Sequence, residues 1–122
     1  MLVGSTARRP LLFKSYADHP NVLNRKLDST AAGRYQLLHR YWAAYRSELR
    51  LRDFGPEAQD RVALKQIDET GANGEILAGD LAGAIRKCAH LWASLPGAGY
   101  GQHENTLADL KIAYTSAGGT LA

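Results

Sequence analysis

The chain has 122 residues, 45% of them hydrophobic and 22% charged, with a net charge of +3. That length suits one domain (1–122) with a modest core, and the composition excludes wholesale disorder. One cysteine, Cys88, excludes an internal disulfide framework and a multi-thiolate zinc site, and no apolar run reaches the length of a membrane-spanning helix.

Residues 1–30 read as loop-rich. Met1 to Pro10 contains Arg8 and Arg9 without an apolar stretch beside them, so no secretory signal is expected. Leu12 to Tyr16 reads as one short strand, paired with Leu2-Val3 in a small β-hairpin. Asp18-His19-Pro20 reads as a turn, because proline biases the residue before it to extended backbone.

Asp28-Ser29-Thr30 supplies capping side chains, which predicts a helix over Ala31 to Leu49. Leu38, Trp42, Tyr45 and Leu49 lie at spacings of 4, 3 and 4, one helical face. A second helix is predicted from Pro56 to Thr70, burying Ala58, Val62 and Ile67 and stopped by Gly71. A short piece spans Gly74 to Ala78. Asp80 then caps a helix whose apolar positions Leu81, Ala84, Ile85, Cys88, Leu91, Trp92 and Leu95 continue to Pro96. The glycine-rich loop from Gly97 to Gln102 follows. Thr106, with Asp109 three residues on, starts a last helix with Leu107, Leu110 and Tyr114 inward. The expectation is a mostly helical single domain with a small N-terminal hairpin.

The four histidines, His19, His39, His90 and His103, offer no pair at ligand spacing, so a metal site is not expected. Cys88 lies on an apolar stripe and reads as a buried structural thiol. The 97–101 loop follows a helix and lacks the lysine of a phosphate-binding loop. Arginines 34, 40, 46, 50 and 52 interleave with aromatics, a pattern that can track nucleic acid. The shared apolar stripe favours instead a solvated arginine face with the aromatics inward. A glycan groove wants rings against sugar faces, amides against hydroxyls, and an acid kept protonated. Tyr35, Gln36, Tyr100 and Gln102 fit the first two needs. Of the carboxylates, Asp80 reads as a cap and Glu48, Glu57, Asp60, Asp68 and Glu69 as exposed helix positions. Asp18, Asp28 and Glu104 lie beside the loops, but the pattern names no catalytic acid.

Three stretches closely resemble the lambda-type phage endolysins (lambda lysozymes). They are Phe13 to Pro20, Ser29 to Leu38 with its Gly33-Arg34-Tyr35-Gln36, and Trp92 to Gln102, together with the ending Ala117-Gly118-Gly119-Thr120. The resemblance implies a lysozyme-like α+β fold, mostly α, and a lytic transglycosylase acting on bacterial peptidoglycan without metal or cofactor. In such enzymes one glutamic acid protonates the glycosidic oxygen, and the muramyl 6-hydroxyl attacks the anomeric carbon to leave a 1,6-anhydro end. Carried over, Tyr35 and Gln36 line the cleft, Pro96 to Gln102 is the lower lip with Tyr100 and Gln102 as contacts, and residues 21–28 form the opposing lip. Asp18 and His19 border the cleft.

The family's glutamate sits on a helix before the hairpin, in a Ser-Glu-Gly-Thr-like context. Met1-Leu2-Val3-Gly4 resembles the hairpin interior. The expectation is therefore an N-terminally truncated endolysin, lacking the first helix, with no catalytic residue of its own and impaired activity. Expected partners are peptidoglycan strands or chitooligosaccharides, with no nucleic acid, no membrane insertion, and a homodimer covering the face left by the missing helix. Expected localisation is cytoplasmic, with action on the wall after holin-mediated release. The alternatives are a non-catalytic glycan-binding remnant and a basic helical nucleic-acid-binding domain.

Overall fold

A computed structural model describes residues 12–25 and 28–122. Its helices are α1 (His39–Leu49), α2 (Pro56–Thr70), α3 (Asn73–Leu77), α4 (Leu81–Cys88) and α5 (Leu107–Ser116). Two compact units divide inside α2, the first ending at Leu64 and the second covering Lys65–Ala122. Among the described residues no strand forms; Leu12 takes part in an isolated bridge, and the bridges joining described residues to each other are Asn24–Ser29 and Ala32–Leu37, both antiparallel. Residues 13–16, expected as a strand, run without one, and their expected partner Leu2-Val3 lies outside the described residues. The Tyr16 carbonyl instead accepts the Phe54 N–H at 2.7 Å.

In the first unit, α1 starts at His39, eight residues later than the capping side chains at 28–30 suggest. The chain first closes a turn, with Ala32 and Leu37 exchanging backbone hydrogen bonds of 3.1 and 2.9 Å. Gly33 at φ 81° and Gln36 at φ 49° are left-handed there, which no helix accommodates. Asp28, also left-handed at φ 47°, is no helix cap. Thr30 does serve the helix, but through space: its Oγ1 accepts the His39 N–H at 3.1 Å. From Leu38 onward the predicted stripe holds. Trp42 is buried against Phe54, and Tyr45 and Leu49 pack on the cluster of Ala32, Leu37, Leu51, Phe54, Ala58 and Val62. Pro56 opens α2 as expected.

In the second unit, Thr70 Oγ1 caps back onto the Ile67 carbonyl at 2.6 Å, and Asp80 accepts the Gly83 N–H at 2.9 Å to cap α4. The predicted extension of α4 to Leu95 is wrong. After Cys88 the chain tightens into three-residue turns, Leu91 N–H to Cys88 O, Leu95 N–H to Trp92 O and Ala98 N–H to Leu95 O. These turns keep Trp92 and Leu95 on the cluster of Ala72, Ala84 and buried Cys88, so the apolar spacing survives without the helix. Thr106 caps α5 by accepting the Asp109 N–H at 3.1 Å. Leu107, Leu110 and Tyr114 are half-buried, and no α5 residue is fully buried. No helix among the described residues is long and apolar enough to cross a membrane.

Candidate glycan-contact site

The first unit presents Tyr35 and Gln36 on the closed turn that precedes α1. Tyr35 donates its hydroxyl to Asp60 Oδ1 at 2.6 Å, and Arg34 lies 3.6 Å from the same oxygen. Partial burial and the Asp60 carboxylate push the Tyr35 phenol upward, so it stays neutral and keeps its proton. Gln36 donates its amide to the Gly33 carbonyl at 2.8 Å, which orients an exposed side chain.

The turn is held from below by Gln59 on α2, a residue that the sequence pattern does not single out. Gln59 is 3% exposed. Its Oε1 accepts the Arg34 N–H at 2.9 Å, and its Nε2 donates to the Phe54 carbonyl at 2.7 Å. A Cβ at Gly33 would run into that same carboxamide. The available signal was a lone amide among Ala58, Val62 and Ala63, all buried on one helix. A polar side chain in such company must carry hydrogen bonds.

Asp18 and His19 are neighbours in sequence but sit in different surroundings. Asp18 is exposed, and its Oδ1 accepts from the Trp42 indole N–H and the His19 N–H, both at 2.8 Å, with Arg46 at 2.9 Å. The indole bond, with help from the His19 N–H and Arg46, holds this carboxyl below the ordinary range. His19 is 5% exposed, so the fold leaves little of it for the expected glycan contact. Nε2 donates to the Leu37 carbonyl at 2.7 Å, and Nδ1 accepts the Asn21 N–H at 2.9 Å, which requires the neutral imidazole. Phe54 and His39 flank the ring at 4.9 and 5.3 Å. Burial pushes its pKa down. His19 thus joins the end of the Tyr35–Gln36 turn to the segment at Asn21 and supports the site without touching solvent.

The second unit presents Tyr100 and Gln102. Gln102 is exposed, and the Tyr100 ring is 54% exposed while its hydroxyl donates to the His90 carbonyl. Glu104 spans the loop from inside. Its Oε1 accepts the Gly97 N–H at 2.8 Å and its Oε2 the Gly99 N–H at 3.0 Å, bonds that hold the carboxyl below its usual value.

These electrostatics bear on acid catalysis. A general acid must hold its proton near neutral pH, which needs a carboxyl shifted upward. Two of the loop-side carboxylates, Asp18 and Glu104, are shifted downward, as is Glu75 beside Lys87. The arginine face is also largely engaged within the fold. Arg34 faces Asp60, Arg46 meets Asp18 and the Arg52 carbonyl, and Arg40 lies over the Tyr41 ring.

The Endolysin family profile matches residues 1–121. The endolysin of Escherichia phage lambda is 55% identical over 113 residues, covering 90% of this chain and 72% of that protein. The endolysin of Escherichia phage P2 is 47% identical over 122 residues, covering 93% and 74%. Among solved structures, bacteriophage lambda lysozyme complexed with a chitohexasaccharide superposes with a TM-score of 0.89 at 50% identity, over 99% of this chain and 78% of that one. A second lysozyme structure from bacteriophage lambda gives 0.81 at 52% identity, over 93% and 75%. Sequence and mostly helical fold therefore agree, and the chain belongs to the endolysin family of bacteriophage lysozyme-like proteins.

Proposed function

We propose that this chain is the glycan-holding part of a peptidoglycan lytic transglycosylase, working as one lysozyme-like domain on cell-wall strands. The observation that carries the reading is the likeness, over 99% of the chain, to a lysozyme structure that holds a chitohexasaccharide. Tyr35 and Tyr100 offer rings to sugar faces, and Gln36 and Gln102 offer amides to hydroxyl and acetamido groups. Asp18 contributes an anionic acceptor at the border, fixed by Trp42 and Arg46. His19 keeps a positioning role only.

Transglycosylation needs a protonated carboxyl beside the scissile oxygen and then a base for the attacking 6-hydroxyl. Donors already in place lower the Asp18 and Glu104 carboxyls, which disfavours in both the protonated form that the first step needs. These 122 residues by themselves are accordingly expected to bind glycan while cleaving it poorly or not at all. Delivery to the wall through a holin-opened membrane is part of the same proposal.

A turbidity assay on permeabilised Gram-negative cells tests this directly. Little or no clearing is expected from the 122-residue chain, with tryptophan fluorescence still responding to chitooligosaccharide. Clearing at the rate of an intact endolysin would refute the missing-acid reading, and no response at millimolar sugar would refute glycan binding.

A further inference from the structure

Between Ser94 and Asn105 the chain makes a closed loop whose contacts lie at three levels. At its base the Asn105 N–H donates to the Ser94 carbonyl at 2.7 Å. At its middle the two oxygens of Glu104 take the Gly97 and Gly99 N–H groups separately. At its tip the Tyr100 hydroxyl reaches the His90 carbonyl. Gly97, Gly99 and Gly101 sit at φ 82°, 75° and 72°, so the backbone here is intrinsically permissive. A loop with three such glycines has many alternatives, and something must select one. The Glu104 carboxylate is placed to do so, because it grips two of the three glycine amides at once.

We propose that Glu104 is a positioning residue: its two-pronged carboxylate fixes the 97–101 loop and thereby sets where the Tyr100 ring is presented to glycan. The presentation to glycan rests on the functional reading above; the fixing of the loop does not. An ionised carboxylate can satisfy two N–H groups at once because it has two acceptor oxygens and no hydrogen. A carboxamide cannot. In Glu104→Gln one oxygen still accepts, but the amide nitrogen points a hydrogen at the other backbone N–H. The side-chain volume is unchanged, so packing is not disturbed. Protonation acts in the same direction in the native chain, because a hydroxyl oxygen is a weaker acceptor than a carboxylate oxygen.

Two measurements on the 122-residue chain test this, with thermal melts confirming that each variant folds. The Gly97 and Gly99 amide proton shifts are followed by NMR from pH 7 to 3 in a His103→Ala background, which removes the adjacent imidazole. They should move together with the Glu104 carboxyl, with a midpoint below 4.5, and should lose that transition in Glu104→Gln. Chitohexaose titration should then show Glu104→Gln binding about five- to tenfold more weakly, the scale of one ordinary hydrogen bond, at an unchanged melting temperature. Wild-type binding with Glu104→Gln within twofold of it would overturn the positioning role and leave the functional reading standing. No wild-type binding would overturn the functional reading, and the amides then decide the latch alone: pH-insensitive Gly97 and Gly99 shifts would overturn it.

Discussion

Two turns present the candidate glycan contacts, and they are held by opposite means. The 32–37 turn rests on buried, uncharged partners: Gln59 beneath Gly33, neutral His19 on the Leu37 carbonyl, and the Phe54–Trp42 packing around them. The glycine amides of the 97–101 loop rest instead on one half-buried, charged side chain, Glu104. Buried hydrogen bonds are costly to break because the abandoned partner cannot turn to water. A carboxylate that solvent reaches is easily replaced by water and easily protonated. The first turn should therefore respond to mutation as part of the core, and the second should respond in local order while the fold survives.

The largest effect should come from emptying the core under the first turn. Phe54 is fully buried and packs on Phe13, His19 and Trp42. Phe54→Ala should cost about 3–5 kcal/mol in urea unfolding, enough to leave little folded first unit. A cost below about 1 kcal/mol would show that the cluster is not the support described. Gly33→Ala comes next. It places a methyl where the Gln59 carboxamide sits and a side chain at φ 81°. Strain and the disturbed hydrogen bond together should cost about 2–4 kcal/mol. Gln59→Leu keeps the volume but strands the Arg34 N–H and the Phe54 carbonyl, and about 2 kcal/mol is expected. If Gln59→Leu proved neutral, the amide would be incidental.

Acidification separates the regions further. His19 has a lowered pKa in the folded chain, so the unfolded state binds the extra proton more readily. Its contribution is complete above the ordinary value of 6.5 and is lost as pH falls through the lowered folded value. Asp18, also lowered, adds a second loss below 3.8. The melting temperature should thus fall from pH 7 to 5, and His19→Gln should flatten that slope. An equally steep slope in the variant would assign the effect elsewhere. Glu104→Gln should move the melting temperature least of these substitutions while loosening the Gly97 and Gly99 amides in hydrogen exchange.

The same contrast explains what could be read from the sequence. The Leu38–Trp42–Tyr45–Leu49 stripe, the Pro56 start, the Asp80 cap and the Thr106 cap were legible because each is local chemistry at fixed spacing. The start of α1 was not, because Gly33 and Gln36 adopt left-handed backbone only with Gln59 packed beneath the turn, from 26 and 23 residues away in sequence. The end of α4 misled because tight turns can carry an apolar stripe as a helix does. His19 read as a surface turn residue beside Pro20, yet the fold buries it through a bond to Leu37, 18 residues away. The backbone groups that Gln59 and Glu104 hold were not legible, because sequence does not display which N–H or carbonyl a side chain will reach.

The proposal that this chain holds glycan without cleaving it is tested most directly by what happens when it meets purified murein sacculi. After co-incubation, the sacculi are pelleted and their muropeptides analysed by mass spectrometry. The prediction is that the chain pellets with the sacculi and that 1,6-anhydro-muramyl ends do not increase over the untreated control. New 1,6-anhydro ends would contradict it, because some carboxyl of these 122 residues would then be supplying the acid.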